Sequence, residues 1–141
     1  MKDCAKWSPL VLRIVLGVTL ILAGISKLMN PAGFVELITN MAPYLPSSLA
    51  TAYGYALPYV ELVVGVLTLV GLWTRYVAWV GALLFASFII GVSAATPEVP
   101  FFLDPNATRI PNKDFAYLAM MISLGLTGAG MWSIDKKCKN C

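Results

Sequence analysis

Glu61 is the acidic residue best placed for chemistry in this sequence, because it lies inside a long apolar run. An ionisable group within a membrane is costly and needs a partner. Arg75 follows Glu61 by about fourteen residues, which is a rise of about 21 Å along a helix. If Arg75 lies level with Pro9, then Glu61 lies level with Ala23, and Lys27 is about one helical turn further along. The sequence therefore predicts a Glu61–Lys27 pair.

This pair has two interpretations, and the residues leave both open. As a structural clamp, it neutralises two charges and fixes the register of two helices. As a functional site, it handles protons or binds a polar headgroup such as a quinone carbonyl. Arg13 is the third candidate for such a cofactor site, although its location near the start of an apolar run also allows it to extend to a lipid headgroup.

The cysteines form a second candidate site. Two residues separate Cys138 from Cys141, and Cys4 is expected at the same end of the protein. The C-x-x-C spacing suits a disulfide or two ligands of a tetrahedral metal. Together the three thiols supply three of the four ligands that zinc or iron–sulfur needs. A lone C-x-x-C is a weak signal, however, so we do not expect a metal there.

The chain contains no histidine. This excludes bis-histidine haem and Rieske centres held by this chain alone, and no haem is expected. Any chemistry must rest on carboxylates, lysines, arginines, thiols or a cofactor held by partners. Nothing indicates nucleic-acid binding, because the net charge of +3 reflects basic residues that set membrane orientation.

Four apolar stretches carry these residues, at 9–28, 50–72, 76–95 and 115–132. Each is close to the roughly 20 residues with which a helix crosses a bilayer. Hydrophobic residues make up 59% of the chain and charged residues 12%, which also favours a membrane protein. The predicted fold is all-α: a transmembrane four-helix bundle forming a single domain over residues 1–141. A proline-bounded segment after the first stretch predicts a short interfacial helix, with its apolar face formed by Phe34, Leu37, Ile38 and Met41.

The basic residues predict the orientation of the bundle. An even number of spans places both termini on one side, and most Lys and Arg residues lie on that side. By the positive-inside rule, both termini are then cytoplasmic. The basic residues on the terminal side are Lys2, Lys6, Arg13, Arg75, Lys136, Lys137 and Lys139.

Several short motifs resemble the DoxX/DoxD family of small prokaryotic four-span membrane proteins. They are Leu12-Arg13-Ile14-Val15-Leu16-Gly17, Ala23-Gly24, Lys27-Leu28, Pro58-Tyr59-Val60-Glu61 with Gly65, Gly71-Leu72-Trp73-Thr74-Arg75, and Asn112-Lys113-Asp114. The resemblance covers nearly the whole chain and implies a multi-pass protein of the prokaryotic cytoplasmic (inner) membrane. It also implies redox chemistry, since the family's namesake members are subunits of a thiosulfate:quinone oxidoreductase. The C-x-x-C tail is not part of the family pattern.

Three functions remain open from the sequence. The first is an integral membrane subunit of a quinone-linked oxidoreductase, in which Glu61, Lys27 or Arg13 bonds a quinone carbonyl and partner subunits bring the redox centre. The second is a non-catalytic subunit that anchors a larger membrane complex. The third, a quinone-coupled thiol–disulfide enzyme, needs cysteines on the outer face, whereas these are predicted on the inner one. Lipid and either partner subunits or further copies of the chain are the expected partners.

Overall fold

The computed structural model describes residues 4–41, 44–95 and 113–135, with side chains over 7–40, 44–91 and 113–135. Within these residues the chain is all-helical. The helices in order are α1 Cys4–Met29, α2 Pro31–Met41, α3 Ser47–Val70, α4 Thr74–Ala95 and α5 Lys113–Thr127. Helix α1 packs chiefly against α3, and α4 packs chiefly against α5.

Three of the described helices are long and apolar enough to cross a membrane, and they correspond to the first three predicted spans. These segments are Trp7–Met29, Ser47–Val70 and Thr74–Gly91. Large apolar side chains remain exposed along them, with Leu22 at 61%, Val63 at 58% and Leu83 at 72%. Lipid is the solvent that such a surface fits, since water would penalise so much exposed apolar area.

The fourth predicted span, 115–132, is shorter in the structure. Helix α5 ends at Thr127 after 15 residues, a length of about 22 Å against the roughly 30 Å of a bilayer core. It ends there because Gly128 and Gly130 take φ values of 80° and 66°, which break the helix. The prediction of four membrane-crossing helices therefore holds for three helices of the described chain.

The short helix predicted after the first span is α2. Its start is capped by Asn30, whose side-chain oxygen accepts a hydrogen bond from the backbone N–H of Gly33 at 3.1 Å. The backbone N–H of Phe34 bonds the Asn30 carbonyl at 3.1 Å and begins the helical ladder. Helix α2 packs mainly on α3, and this contact places Phe34 beside the predicted ion pair.

Glycines allow α1 and α3 to approach closely. A Cβ atom added at Gly17 would lie 2.8 Å from Leu69 Cβ, and one added at Gly24 would lie 2.9 Å from the Pro58 carbonyl oxygen. Neither position has room for a side chain, so the two backbones pack at the short distance that small residues permit in membranes. This close contact fixes the relative register of α1 and α3, and hence of Lys27 and Glu61.

Candidate functional site

The structure joins Lys27 of α1 to Glu61 of α3, as the helical rise predicts. Lys27 Nζ donates to Glu61 Oε1 in a close ion pair. The Glu61 side chain is 1% exposed and that of Lys27 is 21% exposed. The carboxylate is therefore enclosed by the bundle, whereas the ammonium lies nearer its surface.

The surroundings of the two charges are unequal. Lys27 Nζ lies 5.3 Å from the ring centroid of Phe34 and 5.2 Å from that of Phe88, so two aromatic faces flank the ammonium. On the carboxylate, the second oxygen, Glu61 Oε2, is buried without a hydrogen-bond partner in residues 4–41, 44–95 and 113–135. The lysine is thus surrounded on several sides, while the glutamate retains an acceptor with unused capacity.

A second polar group joins α3 to α4. The Tyr53 hydroxyl lies 2.7 Å from Ser87 Oγ, and Ser87 Oγ donates to the Leu84 carbonyl at 2.7 Å. Sequence reasoning missed both residues. The signal that could have found them is a serine within the apolar run of the third span, since a hydroxyl there bonds either its own helix or a neighbouring one.

The Lys27–Glu61 pair and the Tyr53–Ser87 pair both line one cavity of about 490 Å³. The cavity lies at the end of the bundle opposite the turn between α3 and α4. This volume lies within the usual range for a small-molecule site, and its lining is mostly apolar with a few polar groups. All five helices contribute to it. The lining includes Thr19, Leu20, Ala23, Lys27, Phe34, Leu37, Ile38, Tyr44, Tyr53, Glu61, Phe85, Ser87, Phe88, Ile90, Lys113, Asp114 and Tyr117.

Arg13 does not join this cavity. It precedes Lys27 on α1 by about 21 Å of helical rise, and its guanidinium donates to five backbone carbonyls at 2.9–3.3 Å. The expectation that Arg13 extends to a lipid headgroup is wrong, because Arg13 is 1% exposed. The carbonyls belong to Thr68, Leu69, Ala129, Met131 and Trp132.

Asp135 completes this terminal end of the bundle. Its two carboxylate oxygens accept hydrogen bonds from the backbone N–H groups of Trp73 and Thr74, at 2.7 and 2.8 Å, where α4 begins. Burial is the largest single influence on the Asp135 carboxyl and opposes ionisation. The hydrogen bonds from Thr74 and Trp73 and the charge of Arg13 together outweigh it and lower the pKa of Asp135. Sequence reasoning missed this acidic cap, although an aspartate on helix N-terminal N–H groups is a common arrangement.

The candidate metal ligands lie outside the described residues. This applies to Cys138 and Cys141 and to the side chain of Cys4. Within the part of the chain that is described, no group of three or more Cys, Asp or Glu side chains is arranged to hold a metal ion.

Comparison with known proteins identifies the family. The family model described as methylamine utilisation protein MauE matches residues 5–96, a range that contains α1 from its second residue, all of α2 to α4 and both members of the ion pair. The chain is also 31% identical over 137 residues to a Bacillus subtilis (strain 168) protein described as "Putative oxidoreductase CatD". That alignment covers 96% of this chain and 90% of the other protein. No solved structure matches the chain.

These findings correct the family resemblance drawn from the motifs. The assignment to DoxX/DoxD is wrong, because the matching family model is that of MauE and covers about two-thirds of the chain. The motifs were short combinations of glycine, aliphatic and basic residues, which many compact membrane bundles share. The chain belongs to the MauE family of membrane proteins.

Proposed function

We propose that this chain is an integral membrane subunit of a quinone-linked oxidoreductase, and that the cavity beside Lys27 and Glu61 holds the quinone ring. One observation carries the proposal: Glu61 Oε2, a buried carboxylate oxygen without a hydrogen-bond partner among the described residues, belongs to a side chain that lines a mostly apolar cavity of about 490 Å³. A buried polar atom of this kind costs free energy unless a ligand or ordered water completes it. The similarity to a protein named as an oxidoreductase supports redox chemistry.

The residues of the cavity suit a lipid-soluble aromatic ligand. Phe34, Phe85 and Phe88 supply apolar surface and ring faces against which a planar ring packs. Glu61 and Tyr53 supply polar contacts at two levels of α3, about 12 Å apart along the helix. When bound, a quinone takes up two electrons and two protons and gains one O–H bond at each ring oxygen. Both electrons would come from a reduced centre in a partner subunit and both protons from the aqueous phase, with the Glu61 carboxylate as the group that takes up each proton and passes it to a ring oxygen.

The same proposal includes the membrane topology. Four crossings with both termini in the cytoplasm place the cavity toward the outer half of the prokaryotic inner membrane. The non-helical segment that follows α5 and contains Ala129 and Met131 would complete the fourth crossing to the side of the membrane on which the termini lie. Irregular backbone is tolerated at membrane depth where protein groups satisfy it, and Arg13 supplies hydrogen bonds to both carbonyls, at 3.0 and 3.1 Å.

The test is purification in a mild detergent, followed by mass spectrometry of extracted quinone and of co-purifying proteins. We expect quinone in near-stoichiometric amount with the native chain and its loss from Glu61→Gln. The matched control is Glu36→Gln, since Glu36 is an exposed glutamate of α2 that does not line the cavity. Quinone retained by both variants would contradict the proposed site. Stoichiometric partner proteins without quinone would instead identify a non-catalytic anchoring subunit.

A further inference from the structure

The cavity offers its ligand a buried hydrogen-bond acceptor that lacks a donor. Glu61 Oε2 is buried and has no partner among the residues that the structure describes, whereas Oε1 of the same carboxylate is bonded by Lys27. An ionised carboxylate accepts hydrogen bonds and cannot donate them. A ligand that completes this atom must therefore bring an O–H or N–H group.

Two lysines line the cavity, Lys27 and Lys113. Lys27 lies beside Glu61 and commits one of its three N–H groups to that carboxylate, whereas Lys113 is exposed. One side of the ammonium faces Glu61 Oε1. The rings of Phe34 and Phe88 lie 5.3 and 5.2 Å away, within the range of a cation–π contact. A ligand carbonyl that recruited a second N–H of Lys27 would bond an ammonium already paired with Glu61, and would leave the unpaired carboxylate oxygen without a donor.

The hydroxyl pair of Tyr53 and Ser87 also has a fixed hydrogen-bond direction. Ser87 Oγ has a single hydrogen, which it donates to the Leu84 carbonyl at 2.7 Å. The Tyr53 hydroxyl must then donate its own hydrogen to Ser87 Oγ at 2.7 Å. Tyr53 Oη is left with lone pairs, so this group too accepts from a ligand.

The two redox forms of a quinone differ in whether they donate or accept hydrogen bonds, and Glu61 Oε2 and Tyr53 Oη distinguish donors from acceptors. The oxidised ring carries two carbonyl acceptors, whereas the reduced ring carries two hydroxyls that donate. The hydroxyls of Thr19 and Tyr117 also line the cavity, but no bond to another described residue fixes their hydrogens as Ser87 fixes that of Tyr53, so they donate or accept and do not discriminate. Lys113 is exposed, so a ligand carbonyl that bonds it replaces an existing contact with water or a headgroup. The discriminating atoms are therefore Glu61 Oε2 and Tyr53 Oη, and both favour a donor.

We propose, building on the proposed function, that this cavity binds the reduced dihydroxy form of the quinone more tightly than the oxidised form. A hydrogen bond to a charged acceptor in place of a repulsive pair of acceptors corresponds to a preference of about tenfold or more. For a two-electron couple, each tenfold preference for the reduced form raises the reduction potential of the bound quinone by about 30 mV. The bound quinone is then a stronger oxidant than the free one, which assists electron transfer from a partner's reduced centre.

The test compares the two redox forms of one ligand on the purified native protein. The probe is a short-tailed benzoquinone whose remaining ring positions are all substituted, so that cysteine thiols cannot add to the ring. Its quinol is prepared with dithionite under argon. Calorimetric titration in detergent micelles should give a dissociation constant at least tenfold lower for the quinol.

Two variants locate the preference. Glu61→Gln replaces an acceptor-only group with one that also donates, and should reduce the preference to threefold or less. Tyr53→Phe should lower it in part, whereas the control Tyr55→Phe should leave it unchanged, because Tyr55 is a half-exposed tyrosine of the same helix. Equal affinity for both forms, or tighter binding of the oxidised form, would overturn this inference while the quinone site stands. Failure of both forms to bind would overturn the proposed function itself.

Discussion

Replacing the Lys27–Glu61 pair with apolar residues should separate its structural role from its functional one. The perturbation is a double-mutant cycle of Lys27→Met, Glu61→Met and the variant that carries both. Lys27→Met leaves the enclosed carboxylate of Glu61 without its cation. Loss of one partner of a buried ion pair destabilises by about 3–5 kcal/mol, whereas replacing both with apolar residues is often neutral.

The exposure of the two side chains ranks the single variants. Glu61 is 1% exposed, so Lys27→Met should fall near the upper value, about 5 kcal/mol. Lys27 is 21% exposed and lies against two aromatic rings, so Glu61→Met should fall near the lower value, about 3 kcal/mol. The double variant should lie within about 1 kcal/mol of the native protein.

The assay is unfolding of detergent-solubilised protein by added SDS, followed through tryptophan fluorescence, with quinone binding measured on the same samples. The double variant should regain stability but not bind quinone, because Glu61 Oε2 is gone. The exposed control Glu36→Met should change neither measurement. Additive destabilisation in the double variant would refute the coupling of the two charges. A stable double variant that still binds quinone would refute the role of Glu61 in the site.

Three further predictions concern the frame around the cavity. Arg13→Lys keeps the charge but loses the guanidinium N–H groups that bond five carbonyls. It should lower the free energy of unfolding by about 2 kcal/mol or more in the same SDS titration. An unchanged SDS concentration at half-unfolding would contradict a stabilising role for these five hydrogen bonds. Gly24→Ala should destabilise, since its Cβ would lie 2.9 Å from a carbonyl oxygen, whereas Gly91→Ala, whose Cβ has no atom of the described residues within 4 Å, should be neutral or stabilising; equal effects would argue against a close α1–α3 contact. Asp135 has a lowered pKa, so its stabilisation is present above the unfolded value of about 4 and is lost as pH falls through the lower folded value. Asp135→Asn should therefore differ from the native protein near pH 7 and converge with it in acid, and a stability gap that does not depend on pH would contradict this role.

The ion pair could be predicted from the sequence because it depends on quantities that hardly vary. A helix rises about 1.5 Å per residue, and a charge within an apolar run needs a partner. Those two facts, with Arg75 as a marker of membrane depth, were enough to match Glu61 with Lys27. The apolar lengths likewise predicted α1, α3 and α4 to within a few residues.

The hydrogen-bond partners of Arg13 could not be predicted from the sequence in the same way. Its partners are backbone carbonyls, which every residue carries, so no side chain in the sequence marks them. These carbonyls are free of helical hydrogen bonds because α3 ends at Gly71, which has a φ of 74°, and because the helical conformation after α5 is broken at Gly128 and Gly130. These glycines were visible in the sequence, but hydropathy alone extended the fourth span across them.

Two basic side chains of α1, Arg13 and Lys27, differ in how completely they and their partners are hydrogen-bonded, and under the proposed function that difference separates a structural residue from a functional one. Arg13 uses all five of its N–H donors on backbone carbonyls and has Asp135 nearby as a counter-charge, so the guanidinium has no donor left for a ligand. The Lys27–Glu61 pair ends in a buried oxygen that has no hydrogen-bond partner in the described part of the chain. If the pair served stability alone, the fold would be more stable with a hydrogen-bond donor placed against that oxygen, or with the oxygen removed. Under the proposed function the chain retains this oxygen because Glu61 lines a cavity large enough for an aromatic ring, where the donor of a bound ligand would restore the missing hydrogen bond.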